Sequence, residues 1–95
     1  MGKPTRRVVR TPSFERSLSE IRGSAGDRLD EALAGFEHVV SRTPESGMTV
    51  SGRPGFRSRP FHTPEGSFLV IYTYDREKVV CLSIRRVPSG TFGDG

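Results

Sequence analysis

The chain has 95 residues, 33% of them hydrophobic and 27% charged, with a formal net charge of +4. That length holds one small domain with a modest core, and the polarity stops short of what disorder requires. No apolar run approaches the roughly 20 residues of a membrane span. The basic opening Met1-Gly2-Lys3-Pro4-Thr5-Arg6-Arg7 lacks a signal peptide's apolar stretch, so the expected location is the cytoplasm. A lone cysteine, Cys81, excludes a disulfide framework within the chain, and with two scattered histidines it makes no metal site.

Arg7-Val8-Val9-Arg10 centres on two β-branched residues and predicts a first strand. Thr11 then suits an N-cap and Pro12 the first helical position. Phe14, Leu18 and Ile21 fall at i, i+4 and i+7, one face of a short helix that Gly23 is expected to stop. Ser24 and Asp27 resemble a capping pair. A second helix is expected from about Ala25 to Arg42, with Leu29, Ala32, Leu33, Phe36 and Val40 as its stripe. Two helices joined so tightly should pack as a hairpin.

Residues 43–55 carry Pro44, Gly47, Gly52, Pro54 and Gly55 and predict an irregular loop, with a short extended piece at Met48-Thr49-Val50. Phe56 to His62 is a candidate strand that Pro60 pushes towards a sheet edge or a bulge. Thr63-Pro64-Glu65-Gly66 suits a type I turn. Ser67 to Tyr74 is apolar on both faces, as a central strand is. Asp75 to Lys78 connects it to a last strand, Val79 to Val87, in which Cys81 is expected as a small buried hydrophobe. The predicted fold class is α+β in two layers, β-α-α-β-β-β, a helical hairpin packed on an antiparallel sheet. All 95 residues form one domain, with residues 1–6 and 88–95 as flexible ends.

The charge is unevenly spread. Residues 1–22 hold six basic and two acidic groups, residues 23–46 two basic and five acidic, and residues 47–95 seven basic and four acidic. Basic segments flanking an acidic middle point to a polyanion or an acidic protein segment as partner.

Three stretches, in this order, resemble the RelE/ParE superfamily of toxins. Val8-Val9-Arg10-Thr11-Pro12-Ser13-Phe14 with Leu18 is similar to the family's first strand and helix. Phe68-Leu69-Val70-Ile71-Tyr72-Thr73-Tyr74-Asp75 is similar to its "Y-R-V-I-Y-x-x-D" strand and turn. Val79 to Arg86 is similar to its last core strand. The resemblance spans about Arg7 to Val87. It implies the toxin of a bacterial type II toxin–antitoxin system, blocked by a cognate antitoxin that wraps it. RelE-like members cut mRNA on the ribosome, without metal or cofactor; ParE-like members bind DNA gyrase and stall it without chemistry. Fold alone does not choose between them.

RNA cleavage at the 2′-hydroxyl needs a base, cationic donors for the phosphorane, and an acid for the leaving oxygen. Arginine suits the cationic task. Arg57 and Arg59, two apart on one strand, project from one face. Arg85 and Arg86 project to opposite faces, so one at most can join them. His62 is the candidate acid or base, although alternation aims it away from Arg57 and Arg59 unless Pro60 introduces a bulge. The candidate catalytic set is therefore Arg57, Arg59, His62 and Arg85, with Arg53, Arg86 and Lys78 as RNA-binding residues. The His or Tyr that RelE-like members carry near the end of the last strand is absent from Ile84-Arg85-Arg86-Val87-Pro88, which favours the gyrase alternative. Tyr72 and Tyr74 read as core or sheet-surface aromatics. A third reading is a non-toxic basic module that binds RNA or a partner; it lacks the aromatic-rich stacking motif of common single-strand binders.

Overall fold

A computed structural model describes residues 5–25 and 28–88, with Ser24 and Ala25 given by backbone alone. The elements are β1 (Arg7–Arg10), α1 (Pro12–Ala25), α2 (Leu29–Arg42), a 3₁₀ turn (Pro44–Ser46), β2 (Met48–Val50), β3 (Arg53–Thr63), β4 (Gly66–Tyr74) and β5 (Lys78–Val87). The sheet order is β1-β5-β4-β3-β2. β1 runs parallel to β5, and the other pairings are antiparallel. The layers are those expected, but the sheet is mixed and has five strands, where four antiparallel ones were predicted.

Both differences have local causes. Met48-Thr49-Val50 is too short to show a period, and it becomes a strand because the chain turns back at Gly52, whose φ of +76° favours glycine. β1 pairs with the last strand across the chain, a contact that no local signal announces. Arg7 aligns with Lys78 and Arg10 with Cys81.

The first helix begins as predicted. The Phe14 N–H donates to Thr11 Oγ1 at 3.1 Å, and Pro12 occupies the first turn. Thr11 Oγ1 in turn donates to the Cys81 carbonyl at 3.0 Å, tying the helix start to β5. Gly23 does not end this helix, which runs on to Ala25. Gly23 lacks the positive φ of a glycine C-cap, and without it a glycine weakens a helix but does not stop it. α2 begins at Leu29 after Arg28, which supplies no side-chain cap. Asp27, half of the expected capping pair, lies outside the described residues. Of the expected flexible ends, Arg6 is tied down, its N–H donating to the Ser41 carbonyl at 2.8 Å; residues 1–4 and 89–95 lie outside the described part.

Both helices bury their stripes on one face of the sheet. Phe14 and Leu18 from α1 and Leu29, Leu33, Phe36 and Val40 from α2 meet Phe68, Val70, Tyr72, Val79, Cys81 and Ile84 in one cluster. Phe36 stands edge-on to Tyr72 at 6.1 Å, and Phe61 stacks on Phe68 at 5.4 Å. Cys81 is fully buried, as expected, and burial raises its thiol pKa to about 12. In β5, Tyr72 aligns with Cys81 but Ile71 with Ser83, so Leu82 is an extra residue in a bulge. Past it, Ile84 and Arg86 fall on the helix side and Arg85 on the other.

One polar group stands in this core. The Tyr72 hydroxyl donates to the Pro44 carbonyl and accepts the Gly47 N–H at 3.1 Å. Gly47 is needed for that approach. A Cβ there would overlap the Tyr72 hydroxyl and lie 3.0 Å from the Ser58 carbonyl oxygen. Tyr72→Phe keeps the ring and leaves two buried backbone groups unpaired. It should cost about 1–3 kcal/mol, measured as a lower midpoint with an unchanged slope in urea unfolding.

Candidate functional site

Seven sequence candidates divide between two faces and two turns. β3 and β4 align without interruption from Arg57–Tyr72 to Thr63–Gly66, so Pro60 introduces no bulge. Pro60 is tolerated because β2 reaches only as far as Ser58 in the alignment, which leaves one side of β3 open beyond it. Arg57 and Arg59 therefore share the side of Tyr72 and Val70, whereas His62 shares the opposite side with Ser67. The His62 Nδ1 lies 2.8 Å from Ser67 Oγ. His62 also borders a shallow hollow of about 170 Å³ with Arg28, Glu31, Ala32, Thr63 and Pro64. The bulge at Leu82 puts Arg85 on the open face. Arg86 instead goes to the side of Arg57, where it lies over the Phe68 ring at 5.2 Å and donates to the Glu65 carbonyl at 3.1 Å. Lys78 is tied into the β4–β5 turn by Asp75 at 3.1 Å. Arg53 opens β3 and lies over Phe56 at 5.9 Å.

Arg57 and Arg59 are held by the segment that Tyr72 fastens. Arg57 Nη1 donates to the Gly47 carbonyl at 2.8 Å and to that of Glu45 at 3.3 Å, and Arg59 Nη1 donates to Ser46 Oγ at 3.1 Å. These acceptors are neutral, so they fix each guanidinium without cancelling its charge. Neither arginine is in an ion pair with a described residue, unlike Arg10 with Glu37, Arg22 with Asp30 and Lys78 with Asp75. Two strand positions apart, the pair is separated by about 7 Å at the backbone.

The side chain that sequence reading missed here is Tyr74. Its ring carries Arg57 at 5.8 Å and Arg6 at 5.6 Å from the centroid. Arg6 is held by its Nε, which donates to the Asp75 carbonyl at 2.7 Å. Tyr74 reads from the sequence as a core or sheet-surface aromatic, and it is half-buried, packed against the edge of the core cluster. The alternation that puts it on the side of Tyr72 and Arg57 was legible; the two flanking cations were not. The result is an arginine row in which Arg6 and Arg57 flank one phenol ring and Arg59 follows two positions along β3. Guanidiniums so spaced can grip adjacent phosphates. Tyr72, by contrast, is enclosed in the core. Burial holds its phenol above the ordinary value, opposed by the Gly47 N–H and by the charges of Arg57 and Arg59.

No helix among the described residues is long and apolar enough to cross a membrane. Compared with protein-family models and with curated proteins, the chain matches none.

The Tyr72 shift predicts a pH dependence. A folded-state phenol pKa above the unfolded value means that the native state holds its proton longer. Stability is then intact below the ordinary phenol range and falls as pH rises through it. Cys81 acts in the same sense, between the ordinary thiol value and about 12. Urea midpoints should be level near neutrality and decline above about pH 9. Tyr72→Phe should remove part of that slope.

Proposed function

We propose that this chain is the toxin of a type II toxin–antitoxin pair of RelE/ParE type, acting in the cytoplasm by cutting mRNA on the ribosome. The observation that carries the reading is the arginine row. Arg57 and Arg59 are fixed by neutral acceptors and retain their charge, and Tyr74 sits against Arg57. The order of strand, two helices and antiparallel strands supports the class. In this reading Arg57 and Arg59 hold the scissile phosphate and stabilise its developing charge. Tyr74 carries the proton for which the end of β5 offers no group. A cognate antitoxin restrains the protein.

The second reading, a ParE-like inhibitor that binds DNA gyrase, is favoured by one observation. His62 faces away from Arg57 and Arg59, so the expected acid–base group does not join the arginines.

Expression without an antitoxin separates the two. The first reading expects growth arrest with broken transcripts, a cleavage rate about a hundredfold lower in Tyr74→Phe, and RNA binding lost in the Arg57→Ala, Arg59→Ala double variant. Arrest with intact transcripts and gyrase-linked DNA breaks supports the second reading and removes the first. Undiminished growth removes both.

A further inference from the structure

The sheet has a second face that neither helix covers, and its chemistry differs from that of the arginine row. Leu69, Ile71 and Val80 alternate with the core residues of β4 and β5 and so point away from the helices. The bulge residue Leu82 joins them. Together with Val50, Arg53, Phe56 and Ser83, Ile71 and Leu82 line a groove of about 350 Å³ in the middle of this face. Leu69, Ile71, Val80 and Leu82 are all half-buried, and nothing in the core cluster packs on them.

Cations stand at both ends of this apolar floor. Arg53 lies at the start of β3 beside the groove, and Arg85, exposed, lies towards the far end, aligned with Leu69. No strand of the sheet contains an aspartate or a glutamate. The face is thus apolar along its middle, basic at its ends, and without acid anywhere in its strands.

We propose that this face docks an acidic amphipathic helix from a partner protein, its apolar stripe in the Ile71–Leu82 groove and its flanking carboxylates on Arg53 and Arg85. Three physical arguments select this occupant. A second copy docked face to face would bring the same arginines against each other with no carboxylate between them, and like charges repel. Single-stranded RNA grips such surfaces by stacking on aromatic side chains, and Phe56 is the one aromatic in this groove. A segment laid across a face, not along an edge, finds no free backbone partners in the sheet. It must therefore satisfy its own backbone, as a helix does. The proposal uses the open face alone and does not depend on the toxin reading.

The test uses the full chain and three fluorescent probes. One is an 18-residue synthetic helix with a leucine stripe flanked by glutamates. The second has lysine for every glutamate, and the third is an oligouridylate. The glutamate helix should bind saturably and shift the amide resonances of Leu69, Ile71, Val80 and Leu82. The Arg53→Glu, Arg85→Glu double variant, altered at exposed positions so that folding is preserved, should bind it about tenfold more weakly and take up the lysine helix instead. Arg57→Ala with Arg59→Ala, on the other face, should bind the glutamate helix as the natural chain does. The inference is overturned by no saturable binding of the glutamate helix, or by shifts confined to other surfaces. It is equally overturned by a double variant with unchanged preference, by oligouridylate displacing the helix from Leu82, or by sedimentation showing a dimer that already covers the face.

Discussion

The hydroxyl of Tyr72 is the point on which the rest of this structure turns. It stands on the central strand, with Cys81 and Arg57 as its cross-strand neighbours and Phe36 edge-on above it. A phenol so placed must find partners, since a buried polar group without them costs more than a made hydrogen bond returns. It finds them in Pro44 and Gly47, and so draws the segment after α2 down against the sheet. The same four residues then present the Glu45 and Gly47 carbonyls and the Ser46 hydroxyl to Arg57 and Arg59. The core polar group and the surface cations are thus held by one short stretch of chain. Gly47 is fixed by the closeness of that approach, not by a special φ.

Charge follows the layers of the fold and not the order of the chain. Along the sequence, basic ends flank an acidic middle. In three dimensions the acidic middle is largely α2, whose Asp30, Glu31 and Glu37 belong to the helical layer. The strands hold arginine and lysine with no acid. Arg10 of β1 is the strand cation that reaches across, pairing with Glu37 at 2.7 Å and helping to fasten α2 over the sheet. This pair is partly buried, and the carboxylate raises the Arg10 pKa further. On β3 the separation leaves Arg57 and Arg59 to backbone carbonyls, a hydroxyl and a ring, which position them without neutralising them.

Much of the fold was legible because it is written in local chemistry. Thr11-Pro12 is a cap and a first turn wherever it occurs before a helical stripe. The run from Ser67 to Tyr74, apolar on both faces, suits a strand with neighbours on both sides, and it is the central one. The Thr63–Gly66 turn is stabilised as its residues imply, with Thr63 Oγ1 accepting the N–H groups of Glu65 and Gly66 at 3.1 Å. Three things were not legible. The parallel pairing of β1 with β5 joins residues some seventy positions apart and has no turn to announce it. The bulge at Leu82 has neither glycine nor proline to mark it, yet it decides that Arg86, not Arg85, lies on the side of Arg57 and Arg59. The cations on Tyr74 come from distant segments, Arg6 before the first strand and Arg57 in the third. Cross-strand alternation in β3, by contrast, was readable, and it had already set His62 against the arginines.

Strand parity therefore carries more of the functional argument than any single residue. A change of one position in β3 or β5 moves a side chain from the helix side to the open face. Arg57 and Arg59 can serve one ligand because an even number separates them, and His62 cannot join them because an odd number does. In β5 the bulge reverses that rule once and sends Arg85 to the apolar face with Ile71 and Leu82. The two faces are then chemically distinct. One has fixed guanidiniums around a phenol, suited to phosphate. The other has an apolar floor with cations at its ends, suited to an amphipathic acidic segment. The two faces are opposite sides of the same strands, so they share no side chain. What couples them is rigidity. The Tyr72 clasp orders the strand whose odd positions hold the arginines and whose even positions pave the open face.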